Sequence, residues 1–223
     1  KQRQIIYDRR DRIMMAGDIN ELVHSFFSDT GKFLAKKATN PGRDEDLISG
    51  EALKKLIEPA FVPVGEFPSK AYDEATVDEG GEDLGEYLYA AYLKKRATWP
   101  ADQADKVERS ISLSVIDRNW TKHIDTMAHL REGIGLRSYA QTNPLQDYVN
   151  EGYGLFREMN SNIAVDCVYN FMNVRLVRQE PEKALEEEQK PADNSESLEV
   201  EHPEYTPDEK PDQEKAKEPA KAE

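Results

Sequence analysis

The chain has 223 residues, with 44 acidic against 30 basic side chains and a formal net charge of −14. Apolar residues make up 38% and mean hydropathy is −0.80, low for a chain that folds throughout. The acidic balance argues against a phosphate-driven nucleic-acid binder, and a single cysteine excludes an intrachain disulfide framework or a Cys-rich zinc site.

Residues 1 to 16 read as a helix with Ile5, Ile6 and Ile13 on one side and Arg3, Arg9, Arg10 and Arg12 on the other. The arginines read as a solvated or interdomain face pairing with Asp8 and Asp11. The chain enters this pattern at Lys1 with no preceding methionine, and is expected to be an excerpt of a longer protein. Gly17 suits the helix stop, and Asp18 with Glu21 a new capping box. A second helix then runs to about Lys37, with Leu22, Phe26, Phe33 and Leu34 apolar, and Thr39-Asn40-Pro41-Gly42 ends it. A short helix from Gly50 to Glu58 stops at Pro59. Residues 59 to 81, with Pro59, Pro63, Pro68 and several glycines, read as an irregular connection. The next helix runs roughly from Glu82 to Ala97, and Thr98-Trp99-Pro100 breaks it and opens a long one.

In that long helix Leu113, Ile116, Trp120, Ile124, Met127, Leu130 and Ile134 recur at steps of three and four. After a polar reversal, Leu145, Tyr148, Gly152, Leu155, Met159, Ile163 and Cys167 do the same. Two such stripes joined by a short loop predict an antiparallel helical hairpin with Trp120, Ile124, Met127, Leu155 and Met159 in its core. Asn143 is placed to cap the second helix, Pro144 suits its first position, and Gln146 completes a capping box. The loop, Gly133 to Pro144, displays Arg137, Tyr139 and Gln141. On the residues alone, solvated loop side chains are the ordinary reading of Arg137 and Tyr139.

From Arg178 to Glu223 there are 16 acidic and 7 basic residues and six of the twelve prolines. That segment carries −9 of the total charge and leaves −5 for the rest. It cannot bury enough apolar surface to offset its ordering entropy, so disorder is expected. The longest apolar run, Leu88 to Leu93, is far short of the ~20 residues that span a bilayer. Asp125 and His129, four apart on one helix, could supply two metal ligands, but zinc needs three or four and no convergent partner is evident. No phosphate-binding loop, nucleophile elbow or HExxH motif occurs, so no catalytic centre, cofactor or metal site is expected within this chain.

The hairpin carries a family resemblance. Trp120-Thr121-Lys122-His123-Ile124-Asp125-Thr126-Met127, Leu130 through Arg137, Tyr139-Ala140-Gln141, Asn143-Pro144-Leu145, Tyr148, Glu151-Gly152 and Leu155 to Met159 resemble the two-helix finger of the SecA preprotein translocase ATPases. Gln2 to Ile13 is similar to the end of that family's long scaffold helix. The resemblance implies an all-α fold in which residues 1–18 end the scaffold helix, 19–99 form a helical wing, 100–177 supply scaffold helices and finger, and 178–223 form the acidic tail. It implies a translocase in which the finger couples ATPase cycling to polypeptide transport and regulates the ATPase. Arg137, Tyr139 and Gln141 would touch the SecYEG channel and the preprotein. ATP and magnesium would bind the parent's upstream motor domains, which with its preprotein-binding domain are further partners. The resemblance leaves a homodimer open, and places the parent in the cytoplasm, peripherally on the inner face of the bacterial membrane. The family often ends in a Cys-rich zinc motif that binds the export chaperone SecB and phospholipid; the tail here has no cysteine. The rival reading is a stand-alone helical adaptor or chaperone-like module that uses the hairpin to hold one partner.

Overall fold

The computed structural model describes residues 1–39, 47–73, 75–137, 143–176 and 200–201, and of residues 101–102, 135–137 and 200–201 the backbone alone. The fold is all-α. Its helices are α1 (Gln2–Met15), α2 (Asn20–Lys37), α3 (Gly50–Ile57), α4 (Val77–Arg96), α5 (Ala101–Arg137) and α6 (Pro144–Asn173), with a 3-10 turn at Ser69–Tyr72. Two-residue strands β1 (Arg175–Leu176) and β2 (Val200–Glu201) pair antiparallel. Strand β2 is the described part of the segment from 178 onward; the rest of the expected tail lies outside the described residues.

Several helix starts differ from the sequence expectation, each for a local reason. The box expected at Asp18 and Glu21 is not formed. Asp18 Oδ1 accepts the Asn20 amide at 2.8 Å, and α2 begins at Asn20 with Ile19 before it. That hydrogen bond holds the Asp18 carboxyl below its ordinary range. Helix α4 begins at Val77, inside the stretch expected to be irregular. A side-chain N-cap sets it: Thr76 Oγ1 accepts the Glu79 amide at 3.3 Å and donates to Glu79 Oε2 at 3.0 Å. Gly80 and Gly81, which read as loop, are therefore helical. Ser49 caps α3 by accepting the Ala52 amide at 3.4 Å.

Packing explains the glycines. Helices α2 and α4 lie backbone against backbone. A Cβ on Gly31 would meet Gly81 O and come within 2.9 Å of Gly85 Cα, and a Cβ on Gly85 would lie 2.9 Å from Ser28 Cα. This close crossing brings Phe26 and Phe27 of α2 and Tyr92 of α4 around Phe171 of α6, with ring centroids 5.6 to 6.4 Å apart. The core is thus continuous from the α2–α4 pair into α6. At its edge a polar knot ties α4 to α5. The fully buried Glu108 carboxylate accepts the Tyr92 hydroxyl and Arg96 Nε, the latter at 2.6 Å, and Arg96 Nη2 reaches Glu108 Oε2 at 3.2 Å. The carboxylate raises the Arg96 value, while burial and the same carboxylate raise that of Tyr92. Cys167 is fully buried on α6, and burial pushes its thiol far above the ordinary range.

Helix α1 lies along both long helices. Arg10 pairs with Asp117, Arg9 Nη1 donates to Asn160 Oδ1 at 3.3 Å, and Arg109 reaches back to the Ile13 and Gly17 carbonyls. Of the basic face of α1, Arg9 and Arg10 are therefore engaged with α6 and α5, while Arg3 and Arg12 are exposed. Its arginines do not pair with Asp8 and Asp11 in the way composition suggests, although Arg12 Nε does reach the Asp8 carbonyl at 3.4 Å.

Candidate functional site: the helical hairpin

Helices α5 and α6 form the expected antiparallel hairpin, and α5 is the longest element at 37 residues. At 1.5 Å per residue it spans roughly 55 Å. It stays helical through Gly133 to Arg137, where a loop was expected from Gly133 onward. Asn143 caps α6 as expected, its Oδ1 accepting the Gln146 amide at 3.4 Å. The reciprocal half of the box is not made, because Gln146 Nε2 donates to Asn150 at 2.9 Å.

The seam between the helices departs from the expected stripe by one residue on each side. At 100° per residue, Ile124 lies about 80° around the helix from Ile116, whereas His123 lies about 20° away. His123 is accordingly buried, and Ile124 is 49% exposed and outside the core it was expected to join. Seam positions Ile116, Trp120, His123, Met127, Leu130 and Ile134 follow alternating steps of four and three, the knobs-into-holes pattern of a left-handed pair. On α6 the same correction replaces Leu155, which is half-buried on the flank, by Phe156, which is buried. Met159 is buried, while Trp120 and Met127 are half-buried. Trp120 stacks at a tilt on the His123 ring, 5.6 Å between centroids, and His123 faces Phe156 at 5.7 Å.

Gly152 makes room for Met127 near the tip: a Cβ there would lie 2.8 Å from Met127 Cε. Leu145 is 72% exposed on the first turn of α6 despite sharing the seam's phase. Leu145, Val149 and Tyr153, four apart, form an exposed apolar line on α6, with Arg157 lying 5.9 Å from the Tyr153 ring centre. Of the expected tip residues, Arg137 ends α5 with its backbone alone described, and Tyr139 and Gln141 lie outside the described residues. His123 was missed because it was judged by hydrophobicity; its spacing, three after Trp120 and four before Met127, was the available signal.

Burial pushes His123 below its ordinary value of 6.5. A histidine that resists protonation when folded stabilises the hairpin above its unfolded-state value, and this contribution is lost as pH falls through the depressed folded value. Urea midpoints measured between about pH 7 and about pH 5 should fall in the native chain, and fall less in His123→Phe. An identical pH dependence in both would remove His123 as the cause.

The side chains of the hairpin offer packing, directional hydrogen bonds and a rigid lever. Among the described residues, no three His, Cys, Asp or Glu side chains converge as a metal site, and no helix is long and apolar enough to cross a membrane. The sequence model of the SecA Wing and Scaffold domain matches residues 1–175, which takes in every helix described above. Protein translocase subunit SecA of Mycoplasma capricolum is 33% identical over 187 residues, covering 84% of this chain and 20% of that protein. The Clostridium acetobutylicum protein of the same name is 34% identical over 182 residues, 80% of this chain and 21% of its own length. Protein translocase subunit SecA 1 of Streptomyces avermitilis is 32% identical over 197 residues, with 86% and 21% covered. The chain spans about a fifth of the length of the curated relatives it matches. With its helix order, its hairpin and a match over 175 consecutive residues, the chain belongs to the SecA Wing and Scaffold domain family.

Proposed function

We propose that this chain is the wing and scaffold part of a SecA-like ATP-driven protein translocase. In this reading residues 1–18 end the long scaffold helix, 19–99 are the wing, 100–177 the scaffold and two-helix finger, and 178–223 the acidic tail. The finger tip, with Arg137, Tyr139 and Gln141, touches the SecY channel and the translocating preprotein. ATP and magnesium act in upstream motor domains. The finger carries their motion to the channel and restrains ATPase activity when no channel is engaged. The parent would sit at the inner face of the membrane as a peripheral protein.

The observation that carries this reading is the unbroken α5. At its base Glu108 is bonded to Tyr92 and Arg96 of α4, and its far end enters the hairpin reversal at Arg137. A continuous helix gripped at one end transmits displacement to the other, since the hydrogen-bonded rod resists compression and bending. A tyrosine at the tip supplies an apolar face and one hydroxyl, a combination that tolerates a partner of changing sequence. The relatives' shared name, protein translocase subunit, supports the same assignment.

The test is a photoreactive benzophenone side chain placed at position 139 of the full-length protein, irradiated while a preprotein is held midway through the channel. Adducts with the preprotein are expected at 139 and not at Met15, an exposed position on α1. Equal adducts at both positions, or none at 139, would contradict the assignment.

A further inference from the structure

Gln2 is where α1 meets both helices of the hairpin at once. Its Nε2 donates to the Gly152 carbonyl of α6 at 3.1 Å, and its Oε1 lies 3.1 Å from His123 Nε2 of α5. An amide oxygen only accepts, so the His123 ring carries a proton on Nε2. The His123 ring is buried against Trp120 and Phe156, and Gly152 has no Cβ because Met127 fills that space. Both partners of the amide are thus fixed by the seam itself.

Elsewhere α1 meets the hairpin through charged side chains, and Arg109 of α5 donates to the Ile13 and Gly17 carbonyls at the far end of α1. Arg10 meets α5 alone, through an ion pair with the partly exposed Asp117, and Arg9 meets α6 alone, through Asn160. The Arg10–Asp117 ion pair is partly exposed, and such pairs on long side chains tolerate rotation and contribute little. A neutral amide with two directional hydrogen bonds does not tolerate it. Residue 2 sits at the level of 123 and 152, residue 10 at 117 and residue 9 at 160. Helix α1 therefore runs antiparallel to α5 and parallel to α6, and of these hydrogen bonds and the ion pair, those of Gln2 lie nearest the tip. From that level α5 continues for 14 residues to Arg137, roughly 21 Å. A small rotation at the clasp becomes a large displacement at the reversal.

We propose that Gln2 is a positioning residue, whose amide clasps α5 and α6 to the end of α1 and sets the angle at which the hairpin tip is presented. What the angle serves rests on the finger reading above; the clasp itself is tested without transport. Nitroxide labels at Ile5→Cys and Leu145→Cys, both exposed, report the angle by pulsed electron paramagnetic resonance, with the buried Cys167 left in place. Gln2→Leu should shift and broaden the distance distribution while the chain still unfolds cooperatively. Gln4→Leu, which removes only a contact with Asp8, should leave the distribution as in the parent chain. Gln2→Glu places a carboxylate on the ring and should raise the His123 titration midpoint, read by NMR, by about 1 pH unit or more. An unchanged distribution in Gln2→Leu, or an unchanged His123 midpoint in Gln2→Glu, would overturn the clasp. A broadened distribution with undiminished transport by full-length Gln2→Leu would support the clasp and count against the finger reading.

Discussion

Gly31→Ala is expected to destabilise the fold by about 3 kcal/mol or more, at or beyond the upper end of ordinary overpacking. The added methyl would point into the backbone of α4, meeting Gly81 O and lying 2.5 Å from Gly85 N and 2.9 Å from Gly85 Cα. Main-chain atoms cannot swing aside as a side chain can, so α2 and α4 must separate. That separation pulls Phe27 and Tyr92 from the rings around Phe171. Gly31→Leu should not fold. The control is Gly154→Ala on α6, where a Cβ meets nothing within 4 Å. There the helix gains from lost backbone freedom in the unfolded chain, and stability should rise by about 0.5–1 kcal/mol. Urea unfolding of the three variants decides it. Similar midpoints for Gly31→Ala and Gly154→Ala would show that the crossing is looser than described.

Glu108→Leu is the second large effect, expected to cost about 3 kcal/mol. The fully buried carboxylate serves the Tyr92 hydroxyl and Arg96, and leucine leaves both donors without it. Arg96 keeps some access to water and a second partner in Asp105 at 3.3 Å, which holds the loss to the lower part of the range for broken buried pairs. Tyr92→Phe in the Glu108→Leu background should cost less than in the native chain, by about 1–2 kcal/mol, because its hydroxyl has already lost its acceptor. Strict additivity of the two changes would show that the tyrosine and the glutamate do not interact.

The hairpin was legible because the reversal is marked by residues with one local meaning: Asn143 as cap and Pro144 at the first helical position. Its seam was legible to within one residue. A helical stripe read by hydrophobicity accepts either neighbour where the period falls between three and four, and Ile124 and Leu155 displaced His123 and Phe156. The start of α4 was hidden for the opposite reason. Glycines in sequence signal a loop, yet Gly81 sits in a helix with the α2 backbone against it, a Cβ there lying 2.9 Å from Lys32 Cα. That demand comes from a helix some fifty residues away and has no local signature, although the Thr76 cap beside it does. Gln2 was illegible for the same reason: an amide in a charged helical face gives no sign of two partners more than a hundred residues distant. The tip residues Tyr139 and Gln141 were singled out through the family resemblance and the polar reversal, and lie outside the described residues.

The central claim is that the hairpin tip bears on a polypeptide being moved. Tyr139→Ala in the full-length protein tests it most directly, by ATP-driven transport of a preprotein into channel-bearing vesicles beside thermal unfolding of the same variant. An aromatic contact of about 1.4 kcal/mol corresponds to about a tenfold change in rate, so transport should fall by that factor. Stability should change by less than about 0.5 kcal/mol, against about 2 kcal/mol for Trp120→Ala on the half-buried seam. Transport at the native rate by a folded Tyr139→Ala protein would contradict the account.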